Sequence, residues 1–139
     1  MNSLRFSLGT DDDKAVIAHI RSHLEGLGHT VTQVPTSAWG PVARDVAERV
    51  ARDEADFGIV CCHTGTGVSI AANKVSGIRA ALCVDSETAR GARKWNDANV
   101  LALSLRLLTE ALAIEIVDAW LSASYTGTEV ESLERLEHS

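Results

Sequence analysis

Five short apolar runs, at residues 4–8, 30–34, 57–62, 79–84 and 100–103, alternate with stretches in which apolar residues recur every three or four positions. That alternation predicts βαβ units, an α/β domain built on a mostly parallel sheet of five strands. Between the first two runs, Ile17, Ile20, Leu24 and Leu27 fall on one helical face, and Gly28 follows as a stop. Pro41 opens a second helix reaching about Asp53, with Val42, Val46 and Val50 as its apolar stripe. The third run passes through a glycine turn into another helix start, and residues 86–95 read as a fourth helix capped by Ser86. Residues 107–121 are apolar nearly all round, with Leu108, Leu112, Ile116, Val117, Trp120 and Leu121 spread over the circumference. Such a helix in a small domain is expected to bury its second side against another subunit, which predicts a homodimer at least. From Ser122 the chain turns polar and acidic, so residues 1–125 are read as the domain and 126–139 as a tail, either an ordered arm or disordered.

A length of 139 residues with 45% hydrophobic content suits one core and is short for two. The formal charge of -6, with basic residues scattered among acids, argues against nucleic-acid binding. An anionic ligand would therefore have to be held locally. The first ten residues lack both a basic start and a long apolar run, and no stretch approaches the roughly 20 apolar residues of a membrane span. A cytoplasmic protein is expected. Cys61, Cys62 and Cys83 form an odd set without metal-ligand spacing, which points to free thiols in a reducing compartment.

The chemistry is concentrated between Gly58 and Lys74: an apolar strand ending in Cys61-Cys62, then His63-Thr64-Gly65-Thr66-Gly67, then Val68-Ser69 and a helix start. Glycines at 65 and 67 let the backbone approach a ligand, and unbonded N–H groups at a helix start favour an anion. A thiol at the carboxyl end of a strand, beside a helix N-terminus, sits where the local dipole favours its thiolate form. Strand alternation sends Cys61 and Cys62 to opposite faces, so at most one meets a ligand while the other packs; spacing alone does not choose between them. Likewise His63 reads as a polar loop residue more readily than as a base, and Asn73-Lys74 as a solvated helix end.

The run from Gly65 to Lys74, followed by Gly77-Ile78-Arg79-Ala80, by Asn96-Asp97-Ala98-Asn99-Val100-Leu101-Ala102 and by Ile116-Val117-Asp118-Ala119-Trp120-Leu121, resembles the ribose-5-phosphate isomerase B and galactose-6-phosphate isomerase family. The resemblance implies a three-layer, flavodoxin-like, Rossmann-type single domain, assembled as a homodimer or tetramer with active sites at the subunit interface. It implies no cofactor and no metal. It also implies interconversion of an aldose and a ketose through an enediolate, with Cys62 matching the family's base and Thr64 its threonine. The Gly65, Thr66, Gly67, Val68 and Ser69 backbone matches the loop that steadies the enediolate oxygen, Asn96 a substrate-touching asparagine, and Arg106 an arginine after the fifth strand. An enolising carbon acid needs both a base and preplaced donors, and this division supplies both.

Four departures alter the expected substrate. Where the family carries an Asp-His pair, this chain has Thr10-Asp11, and a carboxylate would repel phosphate. Trp95 replaces a histidine credited with opening the sugar ring. Trp39-Gly40-Pro41 replaces an Asp-Tyr-Pro, and acids replace arginines between Gly127 and Leu133. The reading is an aldose-ketose isomerase for a sugar or sugar phosphate, with phosphate recognition and ring opening weakened. Thr10, Asp11, His63, Trp95, Asn96 and Arg106 complete its candidate binding set, and Trp39 and Trp95 are either walls for a sugar face or plain packing. The competing reading is a non-catalytic sugar-binding or partner subunit of the same fold.

Overall fold

The computed structural model describes residues 2–137. Its strands are β1 (Arg5–Thr10), β2 (Thr30–Gln33), β3 (Phe57–Cys62), β4 (Ala80–Leu82) and β5 (Val100–Ser104). They pair in parallel throughout, in the order β2-β1-β3-β5-β4. Six helices occur among the described residues: α1 (Ala15–Gly26), α2 (Trp39–Ala51), α3 (Thr66–Asn73), α4 (Ser86–Asn96), α5 (Glu110–Ser122) and α6 (Val130–Glu137). Parallel neighbours cannot be joined by a hairpin, so α1 to α4 serve as crossovers.

Two cores result. Val16, Ile17, Ile20 and Leu24 of α1, Ala89 and Ala92 of α4, and Ile116, Val117 and Trp120 of α5 cover one sheet face. Val42, Val46 and Ala47 of α2 and Val68 and Ala72 of α3 cover the other. Along β3, Ile59 and Cys61 belong to the first core while Val60 and Cys62 belong to the second, the two-residue period of a strand buried on both faces. The layers are those of an α/β three-layer domain, with the last two strands exchanged relative to flavodoxin's own 2-1-3-4-5 order.

Several boundaries move from their sequence positions, each for a local reason. The α1 stripe ends at Leu24; Leu27 is the C-cap residue and 42% exposed, and Gly28 with φ 94° turns the chain away. Helix α2 starts at Trp39, leaving Pro41 inside the first turn, where its missing N–H removes no helical bond. The α4 cap is Asp85 and not Ser86: the carboxylate accepts the Thr88 N–H at 2.7 Å. Strand β4 is shorter than expected because it is an edge with β5 as its single partner. Helix α5 begins after the Thr109 cap, whose hydroxyl accepts the Leu112 N–H at 3.0 Å, so Leu107 lies in the preceding turn.

The girth of α5 is satisfied inside the chain. It packs against both α1 and α4 as well as the sheet, with Ala113, Ile116, Val117 and Trp120 buried. Leu108, Leu112 and Leu121 are partly buried against the same core, so the expected second subunit does not follow from this helix alone. The tail forms α6, tied to the body by an Arg79–Glu137 ion pair at 2.7 Å, while Thr126 bonds the Lys94 carbonyl through both N–H and hydroxyl at 3.0 Å. Among the described residues no helix is long and apolar enough to cross a membrane.

Candidate active site

The chain leaves β1 for β2 on one side and β3 for the β5-β4 half on the other, so the carboxyl ends of β1 and β3 open a crevice at the switch point. A cavity of about 400 Å³ lies there. Asp11 enters it from the end of β1, and Cys62, His63 and Thr64 from the end of β3. Thr66 and Gly67 contribute the start of α3, and Trp39 the start of α2.

The β3–α3 turn is shaped by contacts on all sides. Gly65 has φ 80°, and a Cβ there would stand 2.5 Å from Leu82 Cδ1 and 2.9 Å from the Leu103 carbonyl carbon. A side chain is therefore excluded both by conformation and by space. The next strand fixes the preceding residues: Leu105 N–H donates to the Cys62 carbonyl at 2.9 Å, and the His63 carbonyl accepts from Arg106 N–H at 3.0 Å and Ser104 Oγ at 3.1 Å. Thr64 and Thr66 hydroxyls share a hydrogen bond of 2.8 Å. Within α3, the Ser69 N–H reaches the Gly65 carbonyl at 3.2 Å. Thr66, Gly67 and Val68 precede it, so their N–H groups lie in the first turn without a helical acceptor, at the positive end of the helix dipole.

The three thiols are free and buried, yet they differ. Cys61 is in the first core, and burial, then the neighbouring Cys62 and Asp11, pushes its thiol far up. Cys83 is pushed up to about 12 by burial, with Asp85 adding to it. Neither is a proton acceptor near neutral pH. Cys62 points to the α2–α3 side and reaches the cavity. Of the three thiols, Cys62 is the one among the residues lining the cavity.

Other candidates occupy different places. Thr10 is fully buried, and its hydroxyl closes the turn by donating to the Asp12 carbonyl at 2.8 Å and accepting the Asp12 N–H at 3.2 Å. Its side chain does not line the cavity. Val68 is a core residue, which leaves its backbone as the group able to meet a ligand. Arg106 follows β5 next to the His63 backbone, exposed, and among the described residues it makes no ion pair.

Trp95 and Asn96 end α4 near the amino end of β5, remote from Cys62. Trp95 is 48% exposed with its indole over Gly91, and Asn96 borders a separate concavity of about 450 Å³. Asp97, at φ 48°, caps this end through Arg79 at 3.3 Å and Arg93 at 3.2 Å. One chain alone does not bring these two residues to the thiol. Ser104, opposite Cys62 in the β3–β5 register, was not singled out in the sequence; it lies outside the cavity lining and supports the His63 carbonyl. Trp39, weighed above against plain packing, lines the cavity with Asp11 and is 49% exposed.

The chain matches the Ribose/Galactose Isomerase family over residues 7–138. It belongs to that family. Ribose-5-phosphate isomerase B of Escherichia coli strain K12 is 40% identical over 131 residues, covering 88% of this chain and 87% of the relative. D-erythrulose-4-phosphate isomerase of Pectobacterium atrosepticum is 39% identical, over 97% and 96% of the two chains. Among solved structures, ribose-5-phosphate isomerase B from Mycoplasma genitalium with bound ribulose-5-phosphate superposes with a TM-score of 0.93 at 32% identity, over 99% and 97% of the chains. The family is thus one of aldose–ketose isomerases, and this chain is an enzyme of that kind.

Proposed function

We propose that this isomerase enolises a sugar or sugar phosphate with Cys62 as base. One observation carries the reading: Cys62 and the first two residues of α3, Thr66 and Gly67, whose N–H groups have no helical acceptor, line the same cavity. As thiolate, Cys62 takes the proton from the carbon beside the carbonyl, and negative charge moves to the carbonyl oxygen. The N–H groups of Thr66, Gly67 and Val68 meet that oxygen where charge develops. The thiol then returns its proton to the neighbouring carbon, while the Thr64 hydroxyl passes the oxygen-bound proton between the two oxygens. Atoms balance, no electrons enter or leave, and the thiolate is regenerated.

Two further features belong to this proposal. A second copy of the chain would supply Trp95 and Asn96 to the Cys62 cavity, since both stand at the far end of their own subunit. The substrate would also differ from ribose 5-phosphate in how its far end is held. The cavity walls carry the Asp11 carboxylate and no lysine or arginine, while the Arg106 N–H bonds the carbonyl of His63, one of the lining residues. The location expected is cytoplasmic.

A panel of aldoses, ketoses and their phosphates in deuterated water tests the chemistry, read by exchange at the carbon beside the carbonyl. Exchange should occur for at least one member and fall by a factor of about 10² to 10⁴ in Cys62→Ala, the range of a lost general base. Sugar binding without exchange would support the partner-subunit reading instead, and full activity in Cys62→Ala would refute the mechanism. Mixing inactive Cys62→Ala with inactive Asn96→Ala protein should restore activity if two subunits share each site.

A further inference from the structure

Resting on the isomerase reading above, we propose that Ser104 is a positioning residue: its hydroxyl holds the His63–Thr64 peptide turned, so that the Thr64 N–H faces the Cys62 cavity as a further donor to the reacting oxygen. Successive carbonyls at the end of β3 carry the inference. The Cys61 carbonyl accepts from Asp11 N–H at 3.2 Å, toward β1, and the Cys62 carbonyl from Leu105 N–H at 2.9 Å, toward β5. A regular strand alternates, and would turn the His63 carbonyl back toward β1. It does not turn back. Arg106 N–H at 3.0 Å and Ser104 Oγ at 3.1 Å both hold it on the β5 side.

The peptide is trans, so its N–H points opposite to its carbonyl. The His63 and Thr64 N–H groups, each on a peptide whose carbonyl is held at β5, therefore both point toward β1. Among the described residues neither has an acceptor. Two successive N–H groups on one side make a donor pair suited to negative charge. The cavity lies on that side: Asp11, just past β1, lines it together with Cys62, His63 and Thr64, and no residue of β5 does.

Ser104 continues the face of β5 that Val100 and Ala102 present to the α2–α3 core, and it is 4% exposed. Satisfying the His63 carbonyl does not require this hydroxyl, because the Arg106 N–H already does so. A carbonyl has two lone pairs, and a second donor narrows the directions it can take. The direction of the Thr64 N–H narrows with it. When the proton leaves carbon, charge grows on the carbonyl oxygen, and a donor aimed there stabilises the transition state more than the bound sugar.

The test takes the sugar of the panel above that exchanges fastest, and measures its initial rates with the wild type, Ser104→Ala and Ser104→Cys. Ser7→Ala is the control: it removes another buried serine hydroxyl, in β1 and without a partner among the described residues. Urea unfolding at one protein concentration establishes that each variant is folded. Ser104→Ala should lower kcat about 10- to 100-fold with KM within about twofold, a donor misaimed and not deleted. Ser104→Cys, similar in size but a weak donor, should fall nearly as far. Ser7→Ala should keep wild-type turnover.

Wild-type kcat in either folded Ser104 variant, a loss confined to KM, or an equal fall in Ser7→Ala overturns the proposal while leaving Cys62 catalysis standing. Absence of exchange with every sugar in the wild type sinks the isomerase reading and the role of Ser104 with it.

Discussion

Gly65→Ala is the substitution whose magnitude the structure defines best. An L-residue at φ 80° carries about 1–2 kcal/mol of left-handed strain. The added methyl would stand 2.5 Å from Leu82 Cδ1 and 2.9 and 3.0 Å from the Leu103 carbonyl carbon and oxygen. Leu82 can rotate, but the backbone of β5 cannot move without disturbing the sheet, so overpacking adds about 1–3 kcal/mol. The expected loss is about 2–5 kcal/mol, a large share of a domain's total. Gly77 supplies the control, because it has φ 84° and nothing within 4 Å of its added Cβ. Gly77→Ala should therefore lose the strain alone, about 1–2 kcal/mol. Gly65→Asn completes the set: asparagine tolerates the left-handed region but keeps the collision, so it should recover little. Urea unfolding at one fixed protein concentration measures all three. If Gly65→Ala and Gly77→Ala lose the same stability, the crowding against Leu103 is not real and the account of this turn is wrong.

Two other expectations concern stability. Asp85→Ala should lose stability by removing the cap on Thr88 N–H; hydrogen bonding from the Thr88 side chain and then its backbone N–H holds the Asp85 carboxyl below its usual range, so this contribution is present at neutral pH and lost as acid protonates it, a difference that thermal unfolding of the two proteins across the acid range would show or refute. Cys83 works in the opposite direction. Folded, its thiol keeps its proton up to about 12, whereas the unfolded chain releases it near the ordinary thiol value of about 8.5, so stability falls as pH rises between the two, and Cys83→Ala should flatten that alkaline decline in urea midpoints; an unchanged slope would refute the assignment.

The fold was legible because its signals are local and periodic. Short apolar strand runs and helices with one apolar stripe declare themselves within a dozen residues, and the glycine turn after β3 is legible for the same reason. Cap identity was harder: Asp85 and Ser86 are neighbours that both cap well, and the decision depends on an extended backbone at 85 that composition does not reveal. The girth of α5 poses a different problem. Periodicity reports how much of a helix is apolar but not how many neighbours it has, and here α1 and α4 flank it on the same sheet face.

The candidate site divides along the same line. Cys62, His63, Thr64, Thr66 and Gly67 are consecutive or nearly so, and their convergence follows from one strand, one turn and one helix start. Asp11 joins them because β1 and β3 are register partners, with Asp11 N–H donating to the Cys61 carbonyl at 3.2 Å. Trp39 has no such sequence link. It reaches the cavity because α2 packs across α3 and because residue 67 has no side chain, so the relevant pairing spans 28 positions and depends on an absent Cβ. Trp95 and Asn96 show the converse: a sequence motif places them in the site, but the sheet carries their end of α4 away from it. A reading that groups functional residues by motif must therefore assign each one to an end of the sheet before placing it in a common pocket. Residues that land at opposite ends require a second chain if they are to act together.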